Sequence, residues 1–206
     1  MDWKKVPEAE NLARENARLR QELDDSWSYV RDACDSQLAT LANHLLRLND
    51  TDRISLYKHE RDIFVISGRY SKNPEYAKPG RPFYPDSEGC IMRAWQQGEA
   101  FVDDLPDPES HQDAYVADLV NNWQMPLETA QNLRMKSRTL YARALEDPSG
   151  MNRTAVLVVE SVEVAAFDVS DLQATMASEE GRHILEFLEK RRAQAPDPAF
   201  AMREGF

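Results

Sequence analysis

The sequence predicts an α+β domain carried on a long N-terminal helix. Three observations predict it. From Glu8 to Asn49 there is neither Pro nor Gly, and apolar side chains recur at helical spacing. "MKSRTLYARALEDPSGMNRTAVLVVESVEVAAF" holds two apolar strands around an Asp-Pro-Ser-Gly turn. Between them, shorter strand and helix patterns alternate. The chain of 206 residues, 42% hydrophobic, makes one generous domain or one domain with an appended element.

The first helix carries Leu12, Asn16, Leu19, Leu23, Trp27, Val30, Cys34, Leu38, Leu41, Leu45 and Leu48 at steps of four and three. These steps give an eleven-residue repeat, the period of a nearly straight seam. Such a stripe needs a partner helix. Asp50-Thr51-Asp52 ends the helix. "RISLYKHERDIFVISGRYS" then reads as two strands about a polar turn, His59 to Asp62. Ile54 and Leu56 share one face, and Ser55, Tyr57 and His59 the other. "SKNPEYAKPGRPFYPD" reads as a Pro-rich loop. Ser87 is placed to cap a short helix with Ile91, Ala94 and Trp95 inward, ended by Gly98. A strand over Ala100–Asp103 and a helix presenting Tyr115, Leu119 and Val120 follow. Trp123 to Leu133 is irregular or helical. The hairpin comes next, with strands at Ser137–Glu146 and Thr154–Glu163 in the centre of the sheet. Asp168 or Ser170 caps one last helix running to Arg192.

This order resembles a GAF domain over Ser36 to Gln194. "SEGCIMRAWQQGEAFVDDLPDP" is similar to the family's Gly-led short helix, Gly-Glu turn and strand ending in acidic residues. The hairpin is similar to the family's central hairpin, whose second strand ends in Glu-Ser. The resemblance implies a GAF-like antiparallel sheet of five or six strands with helices on both faces, preceded by a long N-terminal dimerisation helix. It divides the chain into a helical coiled-coil extension (1–35), a GAF-like domain (36–194) and a flexible tail (195–206). It also implies a small-molecule pocket, for which Tyr70, Tyr84, Trp95, Tyr115, Trp123 and Arg138 are the candidates. Leu12, Asn16, Leu19, Leu23, Trp27 and Val30 are the expected dimer interface, with Asn16 facing Asn16.

Net charge is -11 and the pI is near 4.9, which argues against nucleic acid and anionic membrane surfaces as partners. The two cysteines, Cys34 and Cys90, have neither disulfide-framework nor zinc spacing. With no apolar signal core and no apolar run of spanning length, the chain is expected to be cytoplasmic.

Cys90 opens a helix, where a thiolate would be favoured. No base or second thiol is adjacent in sequence, so packing is the reading the residues favour. The cysteine set of the free methionine sulfoxide reductases in the family is lacking, as are a bilin-attachment Cys after "DLP" and a cyclic-nucleotide signature. His59 and His111 are the histidines that could serve a haem, and the sequence names no cofactor. Asp103 and Asp104 point to opposite strand faces and cannot chelate as a unit. No catalytic set, metal site or phosphate loop is recognisable.

The function expected is a non-enzymatic sensory or regulatory module. It would be homodimeric through its N-terminal helix, bind a small ligand or protein partner, and be read by a signalling partner in trans. The alternatives are a thiol-dependent reductase using Cys90 and a ligand-free adaptor.

Overall fold

The computed structural model describes residues 5–78, 80, 81 and 83–192. The tail expected to be flexible, 195–206, lies outside the described residues. Helix α1 (Lys5–Thr40) leads into one wider π turn, Leu41–Leu45, closed by Leu46 N–H on Leu41 O. Strands β1 (Asp52–Glu60) and β2 (Ile63–Tyr70) form a hairpin through Arg61, whose φ is +57°. Then follow α2 (Pro74–Ala77), β3 (Phe83–Pro85), α3 (Gly89–Gln97) and β4 (Glu99–Val102). Helices α4 (Gln112–Asn121) and α5 (Leu127–Gln131), strands β5 (Thr139–Glu146) and β6 (Arg153–Ser161), and helices α6 (Val169–Ala177) and α7 (Glu179–Arg192) complete the fold.

The six strands make one antiparallel sheet in the order β3-β2-β1-β6-β5-β4. The predicted hairpin supplies β6, one of its two central strands, and β5 beside it. At the hairpin turn, Ser149 and Asn152 donate to the Asp147 carboxylate and hold its carboxyl down at about 2. Alternation along the strands sends Ile54, Leu56, Tyr141, Leu157 and Val159 into a core beneath α1, α6 and α7. Tyr57, Ala142, Val156 and Val158 enter a second core beneath α3 and α4. Both faces of the sheet are therefore covered.

Three elements differ from the sequence reading. The Pro-rich loop contains β3, which pairs Phe83–Pro85 with Ile63–Val65; its Pro is tolerated because the strand is an edge. The last helix is two helices. Ser178 is extended, and its hydroxyl accepts from Gly181 N–H, with Glu179 and Glu180 in the first turn that follows. The residue at the N-cap of α3 is Glu88 rather than Ser87, and its carboxylate pairs with Arg81 instead of capping.

Helix α1 lies directly on β2. A Cβ at Gly68 would come within 3.0 Å of Cys34 Cβ, Leu38 Cδ1 and Asp35 Oδ1. Val30, Cys34, Leu38 and Leu41 are buried there. Val30, expected in the dimer stripe, is thus in the core of its own chain. Asn16 and the leucines before it and after it are exposed: Leu12 by 60%, Leu19 by 49% and Leu23 by 47%; Trp27 is half-buried.

β3 pairs with β2 only as far as Val65, and beyond it the Asp35 carboxylate takes Arg69 N–H at 2.7 Å. Burial pushes the Asp35 carboxyl up to about 6, while that hydrogen bond and the Arg31 charge pull the other way. A carboxyl raised above its unfolded value, near 4, binds more protons when folded. Its ionisation therefore costs stability, and the cost disappears as pH falls. Wild type should gain about 2 kcal/mol relative to Asp35→Asn as pH drops from 6.5 to 4. Parallel stability curves for the two proteins in urea titrations over that range would refute this. Among the described residues no helix is long and apolar enough to cross a membrane.

Candidate functional site

On the sheet face away from α1, a cavity of about 90 Å³ lies between the strands and α3, α4 and the α4–α5 connection. Its walls include Tyr57, Tyr84, Cys90, Tyr115, Trp123 and Met135. Hydrogen bonds fix the roof. Gly89 N–H donates to Trp123 O at 2.7 Å, and Met125 N–H to Leu119 O at 3.1 Å. Arg93 lies over the Trp123 ring, 4.0 Å from its centre, and donates to Asn122 O. Trp123 Nε1 donates to Asp118 at 3.2 Å, and Tyr115 OH to Ser137 O at 3.1 Å. Burial pushes the Tyr84 and Tyr115 hydroxyls well above the usual phenol range, so both stay neutral.

The polar part of the wall is a buried ion pair. Arg53 and Glu160 are direct cross-strand partners in the central strands, both on the cavity face. Arg53 Nε and Nη2 reach Glu160 Oε1 at 2.9 and 2.8 Å, and Ser137 Oγ donates to Oε2 at 2.6 Å. Arg53 Nη1 also reaches Tyr76 O at 3.3 Å. The sequence reading missed this pair. The available signal was a charged residue at an inward alternate position: Arg53 in phase with Ser55 and Tyr57, and Glu160 in phase with Val156 and Val158.

Of the sequence candidates, Tyr84, Tyr115 and Trp123 line the cavity. Trp95 packs beside it, stacked on His59 at 4.1 Å and edge-on to Phe64. Arg138 ties β5 to the segment after β4, its Nε donating to Leu105 O at 3.1 Å. Tyr70 is on the opposite face, where its hydroxyl accepts from Asn43 at 2.8 Å. His111 is exposed beside Ser110. Among the described residues no three His, Cys, Asp or Glu side chains gather as a metal site would require.

Cys90 is 8% exposed, and burial, reinforced by the Glu160 charge, pushes its thiol up to about 12. The helix start does not produce a thiolate there. Cys34 is on the other side of the sheet, in the core under α1, with its thiol pushed up to about 11 by burial.

No protein-family model matches the chain, and comparison with curated proteins gives no match. Solved structures do match. The GAF domain of a phosphoenolpyruvate-protein phosphotransferase from Coxiella burnetii superposes with a TM-score of 0.53 at 15% identity, over 90% of this chain and 97% of that one. The fold is GAF-like. The corresponding GAF domain from Acinetobacter gives a TM-score of 0.50 at 14% identity, over 86% of this chain and 89% of that one. A type II free methionine-R-sulfoxide reductase from Thermoplasma acidophilum gives 0.50 at 12%, over 79% of this chain and 96% of that one. This last match corrects the expectation of a module without enzymatic activity. The GAF-like fold also belongs to an enzyme, so the fold and the lack of a recognisable motif give no ground for excluding catalysis.

Proposed function

We propose that this GAF-like chain is a sensory or regulatory module that holds a small ligand in the aromatic cavity and pairs through α1 with a second copy. The observation that carries the reading is a small aromatic cavity with a satisfied buried ion pair in its wall. Apolar surroundings with a few placed polar groups suit a small organic ligand. The volume, about 90 Å³, is below the roughly 150 Å³ that holds benzene in an engineered cavity, so a larger ligand requires the roof to move outward. Met125 and Met135, unbranched and adaptable, stand in that wall.

Native mass spectrometry of freshly purified protein tests both halves. The expected spectrum is a dimer carrying extra mass that is lost on denaturation. A spectrum of bare chains, together with Trp123 fluorescence that small aromatic compounds leave unchanged, would sink the ligand half.

A second reading rests on Cys90 standing in the cavity wall. A sulfoxide reductase built on it would transfer the sulfoxide oxygen to Cys90 as a sulfenic acid. Two external thiols would then return Cys90 to the thiol, with release of water and a disulfide. Cys34 cannot resolve the intermediate across the sheet. The raised thiol opposes this reading, and native Cys90 should alkylate at pH 7.5 far more slowly than a free thiol. Fast labelling, with methionine sulfoxide-dependent thiol consumption that Cys90→Ser abolishes, would replace the first reading with the second.

A further inference from the structure

Outside the aromatic cavity lies a wider cleft of about 570 Å³, sharing Arg53 and Tyr84 with it. Its wall carries Arg53, Arg69, Lys78, Arg81 and Arg134 against one carboxylate, Glu128. This is a cationic hollow on a chain of net charge -11. Arg53, Arg81 and Lys78 have carboxylate partners in Glu160, Glu88 and Glu75.

Arg69 is different. It is only 9% exposed, and its guanidinium meets neutral acceptors: Ser55 Oγ at 3.1 Å, Lys78 O at 3.0 Å and Tyr57 OH at 3.1 Å. The Asp35 carboxylate hydrogen-bonds its backbone N–H and feels the guanidinium charge only across space, as the least of the influences on that carboxyl. A guanidinium has five N–H donors, so among the described residues two remain beyond these three bonds. A buried cation without a paired anion is costly, and a planar fork of donors suits carboxylate and phosphate oxygens. Gly80 keeps the approach open, since even a Cβ there would sit 3.5 Å from Arg69 Nη1. Arg81, stacked 4.6 Å over the Tyr84 ring, closes the same side of the cleft.

We propose that this cleft binds the oxyanion of a small metabolite, a carboxylate or a phosphate, with Arg69 as the anchoring residue. The site stands on the cleft's own residues, whether or not the aromatic cavity is filled. The test uses the full chain at constant ionic strength, with inorganic phosphate or succinate replacing chloride. Thermal unfolding should shift upward saturably with one or both anions; which one responds tells phosphate from carboxylate. Arg69→Met should raise the half-saturating concentration at least tenfold, while Lys190→Ala leaves it unchanged. Should Arg69→Met fail to fold, the Arg Nε–H signals of wild type are followed by NMR during the same titrations. A saturable shift of the Arg69 signal supports the site. Identical unfolding in phosphate, succinate and chloride, or a response in which the Arg69 signal stays still, overturns it.

Discussion

Glu160→Ala should lower stability by about 3–5 kcal/mol, the cost of leaving one member of a buried ion pair alone. Three groups lose their acceptor at once: Arg53 Nε, Arg53 Nη2 and Ser137 Oγ. Arg53 is held on one of the two central strands and is only 9% exposed, so little water reaches it in place of the carboxylate. Glu160→Gln retains an acceptor and should cost less. Arg53→Met combined with Glu160→Leu should recover most of the loss, since an apolar pair of similar volume often replaces a buried salt bridge at little cost. Urea unfolding midpoints at unchanged slope give the comparison. A loss below about 1 kcal/mol for Glu160→Ala would mean that water already solvates this pair.

Leu19→Asp with Leu23→Asp should convert a two-chain particle into a single chain with its sheet intact. Among the described side chains Val30 is the first of α1 to be buried in the domain, so roughly 38 Å of helix runs ahead of it. Along that stretch Arg14 pairs with Glu10, and Arg18 with Glu15 and Glu22, all within the helix and exposed. Leu12, Leu19 and Leu23 have nothing comparable and face water. A parallel pairing about a two-fold axis would cover them and set Asn16 against Asn16. Light scattering reads the mass, and near-UV circular dichroism reads the core packing. A parent protein that already elutes as one chain would end the pairing model.

The core was legible because strand alternation and helical spacing are local properties. Ile54 and Leu56, and Cys34, Leu38 and Leu41, occupy the buried positions that their spacing assigns. The turn at Asp147 and the helix stop at Gly98, whose φ is +98°, were legible for the same reason. The site was only partly legible. Aromatic residues in connecting segments pointed to Tyr84, Tyr115 and Trp123, but gave no means of separating them from Trp95, which packs on His59 instead. Arg53 and Glu160 are far apart in sequence and become neighbours only through the β1–β6 register. The break at Ser178 could have been read from "SEEG", where a capping residue precedes two acids.

By itself the sequence determined that Ile63, Phe64, Val65 and Ile66 form a mostly buried strand, and the two-residue period of any strand puts Phe64 and Ile66 on one face. Carried on without interruption, that period would put Tyr70 with them on the cavity face and Arg69 beneath α1. The structure reverses the two. Tyr57 pairs with Ile66 and Leu56 with Gly68, so Ser67 is an extra residue in the ladder. Ser67 is buried, and its hydroxyl has no hydrogen-bond partner among the described residues. This bulge exchanges the faces of every later residue in β2. It sets Gly68 under α1, Tyr70 against Asn43, and the Arg69 guanidinium in the cleft beside Arg53. Only tertiary structure could decide this, because a bulge depends on how two strands pair and on what covers them. Here the close approach of α1, at Cys34, Asp35 and Leu38, leaves room for no side chain larger than glycine's at that point in the strand.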